Sequence, residues 1–234
     1  MELELVLLDA GNTVVFLAHE AVADVVTSHG HPVDARVLAR VEGVAKRRYE
    51  ELLRAGVSHE DGWGLYLVTL LTEAGLAPDA AREMVAPLRR AHDAFNLWRR
   101  VPEDLGPALA RLRALDFRVA VVSNSEGRLP ELFERLGLGQ AFEAVVDSHF
   151  EGVRKPDPEL FRRALSRLGV EAARAVYLGD IPGVDVDGAH AAGMKAALVD
   201  ALGFYPDHAT SPRVRSVGEW VERYVEGRRL VRVF

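Results

Sequence analysis

The sequence contains no cysteine, which excludes a disulfide framework, a thiolate metal site and a cysteine nucleophile, and which fits a reducing compartment. Lysine is scarce as well: Lys46, Lys155 and Lys195 are the only three among 29 basic residues. An excess of positive charge is missing, since 35 Asp and Glu give a net charge of −6. That balance argues against the clustered basic surface that nucleic-acid backbones require, so no nucleic acid is expected as a partner. No apolar run approaches the roughly 18–20 residues of a membrane span. Glu2 and Glu4 stand where a secretory leader would carry basic residues. The expectation is a cytoplasmic protein without a membrane partner. What is present is an ordinary globular composition, 49% hydrophobic and 27% charged over 234 residues, enough for one large domain or a core with an insert.

Short apolar runs at Leu3–Leu8, Val119–Val122, Ala144–Val146, Ala175–Leu178 and Ala196–Val199 each end in a polar residue or a glycine. All but the last lead into helical periodicity, as the strands of a parallel sheet do. The helices between them read as Glu103–Leu115, Glu126–Leu136 after Ser125 as N-cap, Pro158–Leu168 after Asp157, and Val186–Ala192 before Gly193. This alternation predicts an α/β fold, a Rossmann-like doubly wound parallel sheet. The pattern is interrupted after the first strand. There, apolar residues recur at helical spacing through Val22–Val26, Val37–Ala45 and Leu67–Ala74, with a fourth helix over Pro78–Phe95. An α-helical insert spanning residues 15–98 is therefore expected within a sheet domain of residues 1–14 and 99–234.

In an open parallel sheet, ligands bind beyond the carboxyl ends of the strands. The residues that follow the apolar runs are Asp9, then Ser123 and Asn124, then Gly179 and Asp180, with Lys155 in an intervening loop and Asp185 five residues past Asp180. A carboxylate nucleophile, a hydroxyl, an amine and an acidic pair at one edge suit phosphoryl transfer, in which a protein mainly positions groups and neutralises charge. A carboxylate approaching a phosphate dianion is repelled unless a hard cation bridges them, which implies Mg2+.

Four segments in order, Asp9-Ala10-Gly11-Asn12-Thr13, Ser123-Asn124-Ser125, Lys155-Pro156-Asp157 and Gly179-Asp180 with Asp185, resemble the motifs of the haloacid dehalogenase superfamily. The helical insert resembles the branch with an α-helical cap of the C1 type. The resemblance covers nearly the whole chain. It implies Asp9 as nucleophile and metal ligand, Ser123 as the hydroxyl on the transferring group, and Lys155 as the charge-balancing amine. It further implies Asp180, Asp185 and the Gly11 carbonyl as magnesium ligands, with Thr13 and Asn124 on the substrate side. The activity implied is a phosphatase acting on a small phosphorylated metabolite.

One departure matters. Phosphatases of the family carry a second aspartate two residues after the nucleophile, to protonate the leaving alcohol and activate water, and this chain has Gly11 there. A positioned acid–base group contributes about 10²–10⁴ in rate. Carbon–halogen hydrolysis of the 2-haloacid type is the principal alternative, because halide leaves without a proton. A catalytically weak phosphate-binding or interaction protein is a further one. A receiver-like phosphoacceptor domain is disfavoured by the insert.

Other residues have plainer readings. Asp157 reads as an N-cap and Asp187 as a helix-surface residue; Lys46 and Lys195 read as surface lysines. His29 and His31 lack a third zinc ligand nearby. Trp63 and Trp98 read as packing residues. His19 could stand in for the missing acid, although solvent exposure is the stronger expectation.

Overall fold

The computed structural model describes residues 2–231. The chain divides into two compact units, one running up to Phe16 and resuming at Arg100, the other comprising Leu17–Arg99. In chain order, β1 (Leu5–Leu8) and β2 (Phe16–Leu17) precede five helices: α1 (His19–Ser28), α2 (Ala35–Arg54), α3 (His59–Glu73), α4 (Pro78–Glu83) and α5 (Val85–Ala94). Next come β3 (Trp98–Arg100), α6 (Leu105–Ala114), β4 (Arg118–Ser123), α7 (Leu129–Arg135), β5 (Val145–Asp147) and α8 (Ser148–Glu151). The order closes with α9 (Pro158–Leu168), β6 (Ala175–Gly179), α10 (Asp187–Ala191), β7 (Lys195–Val199), β8 (Arg213–Val214) and α11 (Val217–Val231).

The first unit is a Rossmann-like α/β fold. Its six strands lie in the order β5-β4-β1-β6-β7-β8, every neighbouring pair parallel. Leu5, Val6, Leu7 and Leu8 are all fully buried. Helices cover both faces of such a sheet, so its central strand is apolar throughout rather than alternating. Leu5 and Leu7 join a cluster with Leu160, Phe161 and Tyr177, and the Phe161 ring meets Tyr177 edge-on with centroids 5.0 Å apart.

Strand β1 lies between β4 and β6, so the winding of the chain reverses around it and the carboxyl ends of these three strands border the crevice where ligands bind. In register, Leu8 stands opposite Val121 on one side and Leu178 on the other. Asp9, Ser123 and Asp180 thus all emerge within two residues of one level.

Helix α9 is built as its sequence reads: Asp157 accepts the N–H of Glu159 at 2.9 Å, Pro158 takes the first helical position, and Gly169 ends the helix at φ 65°. Two expected helices come out differently. The segment beginning at Glu126 stays a loop until Leu129, because Gly127 adopts φ 82°, and Ser125 therefore caps nothing. Pro78–Phe95 is two helices divided at Met84. The reason is Pro87, which has no N–H for the carbonyl four residues back and whose ring crowds it.

The second unit is helical. Val22, Val26, Leu38, Leu67, Leu70 and Leu88 form its fully buried core. Asp34 caps α2 by accepting the Arg36 N–H at 2.7 Å, and Ser58 caps α3 by accepting the Asp61 N–H at 3.1 Å.

Candidate active site

The turn after β1 sets the geometry. The Ala10 carbonyl accepts the N–H groups of Val14 and Val15, both at 2.9 Å, and the Val15 carbonyl accepts the Asn12 N–H at 2.7 Å. These bonds leave the Gly11 carbonyl outside the bridge, and they hold Asn12 in the left-handed region at φ 54°.

Asp9, buried at the head of this turn, has two unlike oxygens. Oδ1 accepts the Ser123 hydroxyl at 2.8 Å and the Lys155 ammonium at 2.6 Å. Among the described residues no donor reaches Oδ2. Lys155 uses all three of its hydrogens inward, on Asp9, on Asp185 Oδ1 at 2.7 Å and on the Tyr177 hydroxyl at 2.7 Å. The Tyr177 hydroxyl in turn donates to the Val122 carbonyl at 2.8 Å. Tyr177 therefore ties β6 to β4 directly beneath the site.

Asp185 lies in a tight turn after β6. Its Oδ2 accepts the backbone N–H groups of Asp180 and Ile181 at 2.9 and 2.8 Å, while its Oδ1 takes Lys155. That approach requires a bare backbone at Gly179, where a Cβ would fall 2.4 Å from the Asp185 carboxyl carbon. Asp180 Oδ2 accepts the Asn12 side-chain amide at 3.0 Å.

The structure thus brings Asp9, Ser123, Lys155, Asp180 and Asp185 together. The Asn124 side chain engages the lysine loop. Its Nδ2 donates to the Lys155 carbonyl at 3.0 Å and its Oδ1 accepts the Lys155 N–H at 2.8 Å, so the amide clamps the backbone of the lysine. The Thr13 hydroxyl is buried and has no hydrogen-bond partner. Neither Tyr177 nor Asp147 stands out in the sequence. Asp147, at the end of β5, accepts the N–H groups of Gly127 and His149, both at 3.0 Å, and fastens the loop that follows Ser123. Its carboxyl is raised by burial, against the pull of these two bonds.

Electrostatically the cluster is deficient in positive charge. Three carboxylates face one ammonium, leaving two negative charges when all are ionised. Burial pushes the Asp9 carboxyl up to about 7; Lys155 opposes this, and Asp185 and Asp180 add to it. The Lys155 amine is raised despite its burial, because Asp185 and Asp9 hold its charge. Asp9, Asp180 and Asp185 offer oxygens that all lie within 4.8 Å of one another. An all-oxygen set with surplus negative charge fits a hard divalent cation such as Mg2+.

The helical unit corrects two expectations. His19 is buried rather than solvent-exposed: its Nε2 lies 2.8 Å from Glu42 Oε2, and Tyr66 donates to the other Glu42 oxygen at 3.0 Å. Lys46 is buried rather than on the surface, one α-helical turn beyond Glu42, where the helical period sends it inward. Trp63 and Trp98 pack against the core of that unit. Among the described residues, no group of three or more metal-capable side chains includes His29 or His31.

A parallel sheet whose switch point holds a buried carboxylate with one oxygen clamped and one open, beside a lysine and two more carboxylates, defines an α/β enzyme suited to displacement at a charged or polarised centre. The chain belongs to the haloacid dehalogenase-like hydrolases, whose sequence model matches residues 3–193. It is 38% identical over 157 residues to a phosphoserine phosphatase of Thermus thermophilus, a match covering 66% of this chain and 61% of that one, under two thirds of the relative's length. It is 31% identical over 210 residues to haloacid dehalogenase-like hydrolase domain-containing protein 3 of Bos taurus, covering 85% and 82% of the two chains. Among solved structures, the HAD-hydrolase YfnB from Bacillus subtilis bound to magnesium superposes with a TM-score of 0.69 at 17% identity, over 95% of this chain and 98% of that one.

Proposed function

We propose that this hydrolase is a magnesium-dependent phosphatase of a small phosphorylated metabolite that works through a phosphoaspartate on Asp9. The observation that carries the reading is the asymmetry of Asp9, with Oδ1 saturated by Ser123 and Lys155 and Oδ2 without a donor. Oδ2 attacks phosphorus; an oxygen–phosphorus bond forms as the bond to the ester oxygen breaks, and that oxygen leaves with the electron pair. Water then attacks phosphorus, the proton it sheds passing through solvent to the departed ester oxygen; the pair of the Oδ2–P bond returns to the carboxylate, and inorganic phosphate departs. Ser123 and Lys155 hold the carboxylate in one rotamer throughout. Lys155 also opposes the loss of charge that burial favours at Asp9.

Asp9, Asp180, Asp185 and the Gly11 carbonyl would hold the cation, with Asp185 also placing Asp180 through the N–H groups it accepts. Magnesium, when bound, supplies the charge that lets a carboxylate approach a phosphate dianion. The name of the Thermus relative makes phosphoserine the first alkyl ester to test, and the magnesium in the Bacillus structure supports the choice of ion.

Gly11 leaves the departing alcohol without a proton donor of its own. Phosphate release is therefore expected to run in the order acetyl phosphate, p-nitrophenyl phosphate, phosphoserine, and to stop in EDTA. A colorimetric phosphate assay across the three substrates checks it. Gly11 does not adopt a positive φ, so an L side chain meets no backbone penalty there. Gly11→Asp is expected to speed phosphoserine hydrolysis about tenfold or more, within the range of an added acid–base group, while aryl phosphate gains less. Equal gains on both esters would show that the position does not serve the leaving group.

Gly11 also favours a second reading, carbon–halogen hydrolysis. There Asp9 Oδ2 would attack carbon and halide would leave with the bonding pair, with no role for the acidic pair around Asp180. Chloride release from 2-chloropropionate in EDTA, without phosphate release from any ester, would replace the phosphatase reading. Silence in both assays would favour a phosphate-binding or interaction role.

A further inference from the structure

Asn12 carries three features at once. First, it occupies the left-handed backbone region at φ 54°, which glycine adopts without strain and asparagine tolerates better than most residues. Second, its Nδ2 donates to Asp180 Oδ2 at 3.0 Å. Turning the amide over would set two oxygens against each other, so chemistry decides which end faces the carboxylate. Third, Oδ1 on the same carbon is buried and has no hydrogen-bond partner.

The third feature is the informative one. A buried acceptor left unsatisfied costs about 1–3 kcal/mol, and a residue present only to make the turn has no reason to bear it when glycine would serve. The adjacent Thr13 hydroxyl is orphaned in the same way. Among the described residues, four buried side-chain polar atoms lack a partner. Two of these belong to Trp63 and Thr72 of the helical unit, and the other two are these neighbours in the turn beside the carboxylate cluster. In the sheet unit, the unmet hydrogen-bonding capacity is concentrated at one place.

We infer that Asn12 is a positioning residue of the cation site, its amide N–H fixing the orientation of Asp180 and its Oδ1 accepting a hydrogen bond from the hydration shell of the ion. The inference rests on the magnesium reading above and extends it to a side chain that nothing else assigns. A hard cation such as Mg2+ keeps several waters when bound, and those waters need acceptors from the protein. A neutral amide serves without adding a fourth negative charge to a cluster that already carries three carboxylates. Groups that orient metal ligands from behind contribute about 10–100-fold to metal affinity.

Asn12→Gly separates the side chain from the backbone, since glycine keeps the left-handed turn and removes only the amide. Titration calorimetry with MgCl2 on the full chain is expected to show about 10–100-fold weaker binding in this variant. Its melting temperature in EDTA should stay close to that of wild type, because the hydrogen bond lost to Asp180 is offset by removal of the unsatisfied acceptor and by the ease with which glycine adopts the left-handed turn. Wild-type affinity in Asn12→Gly overturns the inference while leaving the magnesium reading intact. A loss of affinity accompanied by a large fall in melting temperature in EDTA overturns it too, and returns Asn12 to a turn residue. If the wild-type protein binds no Mg2+, the magnesium reading fails and this inference with it.

Discussion

Asp9→Asn is expected to lose turnover by about 10⁴- to 10⁶-fold, the range for removing a residue at the centre of a covalent mechanism, while melting no lower than wild type. The first half follows from nucleophilicity: an amide in place of Oδ2 cannot form the phosphorus bond. The second follows from burial. The carboxyl is pushed up to about 7 by its surroundings, so above that pH the fold holds a charge it disfavours. A neutral isostere relieves that cost and still accepts Ser123 and Lys155 through its remaining oxygen. Single-turnover phosphate release and thermal melts at a pH above that value measure both halves on the same sample. Turnover within tenfold of wild type would remove Asp9 from the chemistry. A large fall in melting temperature would assign it to the scaffold instead.

Lys155→Met is expected to act in the opposite sense on stability, costing about 3–5 kcal/mol, the usual consequence of removing one partner from a buried ion pair. Methionine fills most of the volume but leaves Asp9 and Asp185 facing each other without the ammonium that bonds both at 2.6 and 2.7 Å. The Tyr177 hydroxyl loses its donor as well. Urea unfolding in EDTA should report the loss. MgCl2 should recover part of it, since a divalent cation restores positive charge to the same carboxylates. A variant as stable as wild type would mean that the three carboxyls shed their charge without help, and Lys155 would no longer be the counter-ion of the site.

The sheet and the ends of its strands were readable in the sequence because parallel strands buried on both faces leave uninterrupted apolar runs, and each run stops where the chain meets the crevice. Asp9, Ser123 and Asp180 follow directly from that punctuation, and Lys155 from its rarity. Tyr177 did not. Within the strand it reads as a core aromatic, which it also is, and its hydroxyl matters only because a lysine 22 residues earlier in the chain reaches it. A polar-tipped aromatic three residues before an aspartate at a strand end was the available signal. Asn12 had a signal too, as a residue that tolerates left-handed backbone within a tight Asp-to-Thr turn. His19 and Lys46 were misjudged for a different reason. Charge suggested exposure, and only the tertiary partner, Glu42 for His19, reveals that burial is compensated. The break at Met84 was within reach, since Pro87 marks it.

Every side chain assigned here to the chemistry comes from segments up to Thr13 or beyond Arg100, and none from Leu17–Arg99. Heritable change in that middle third of the chain can therefore accumulate without rewriting the reacting atoms.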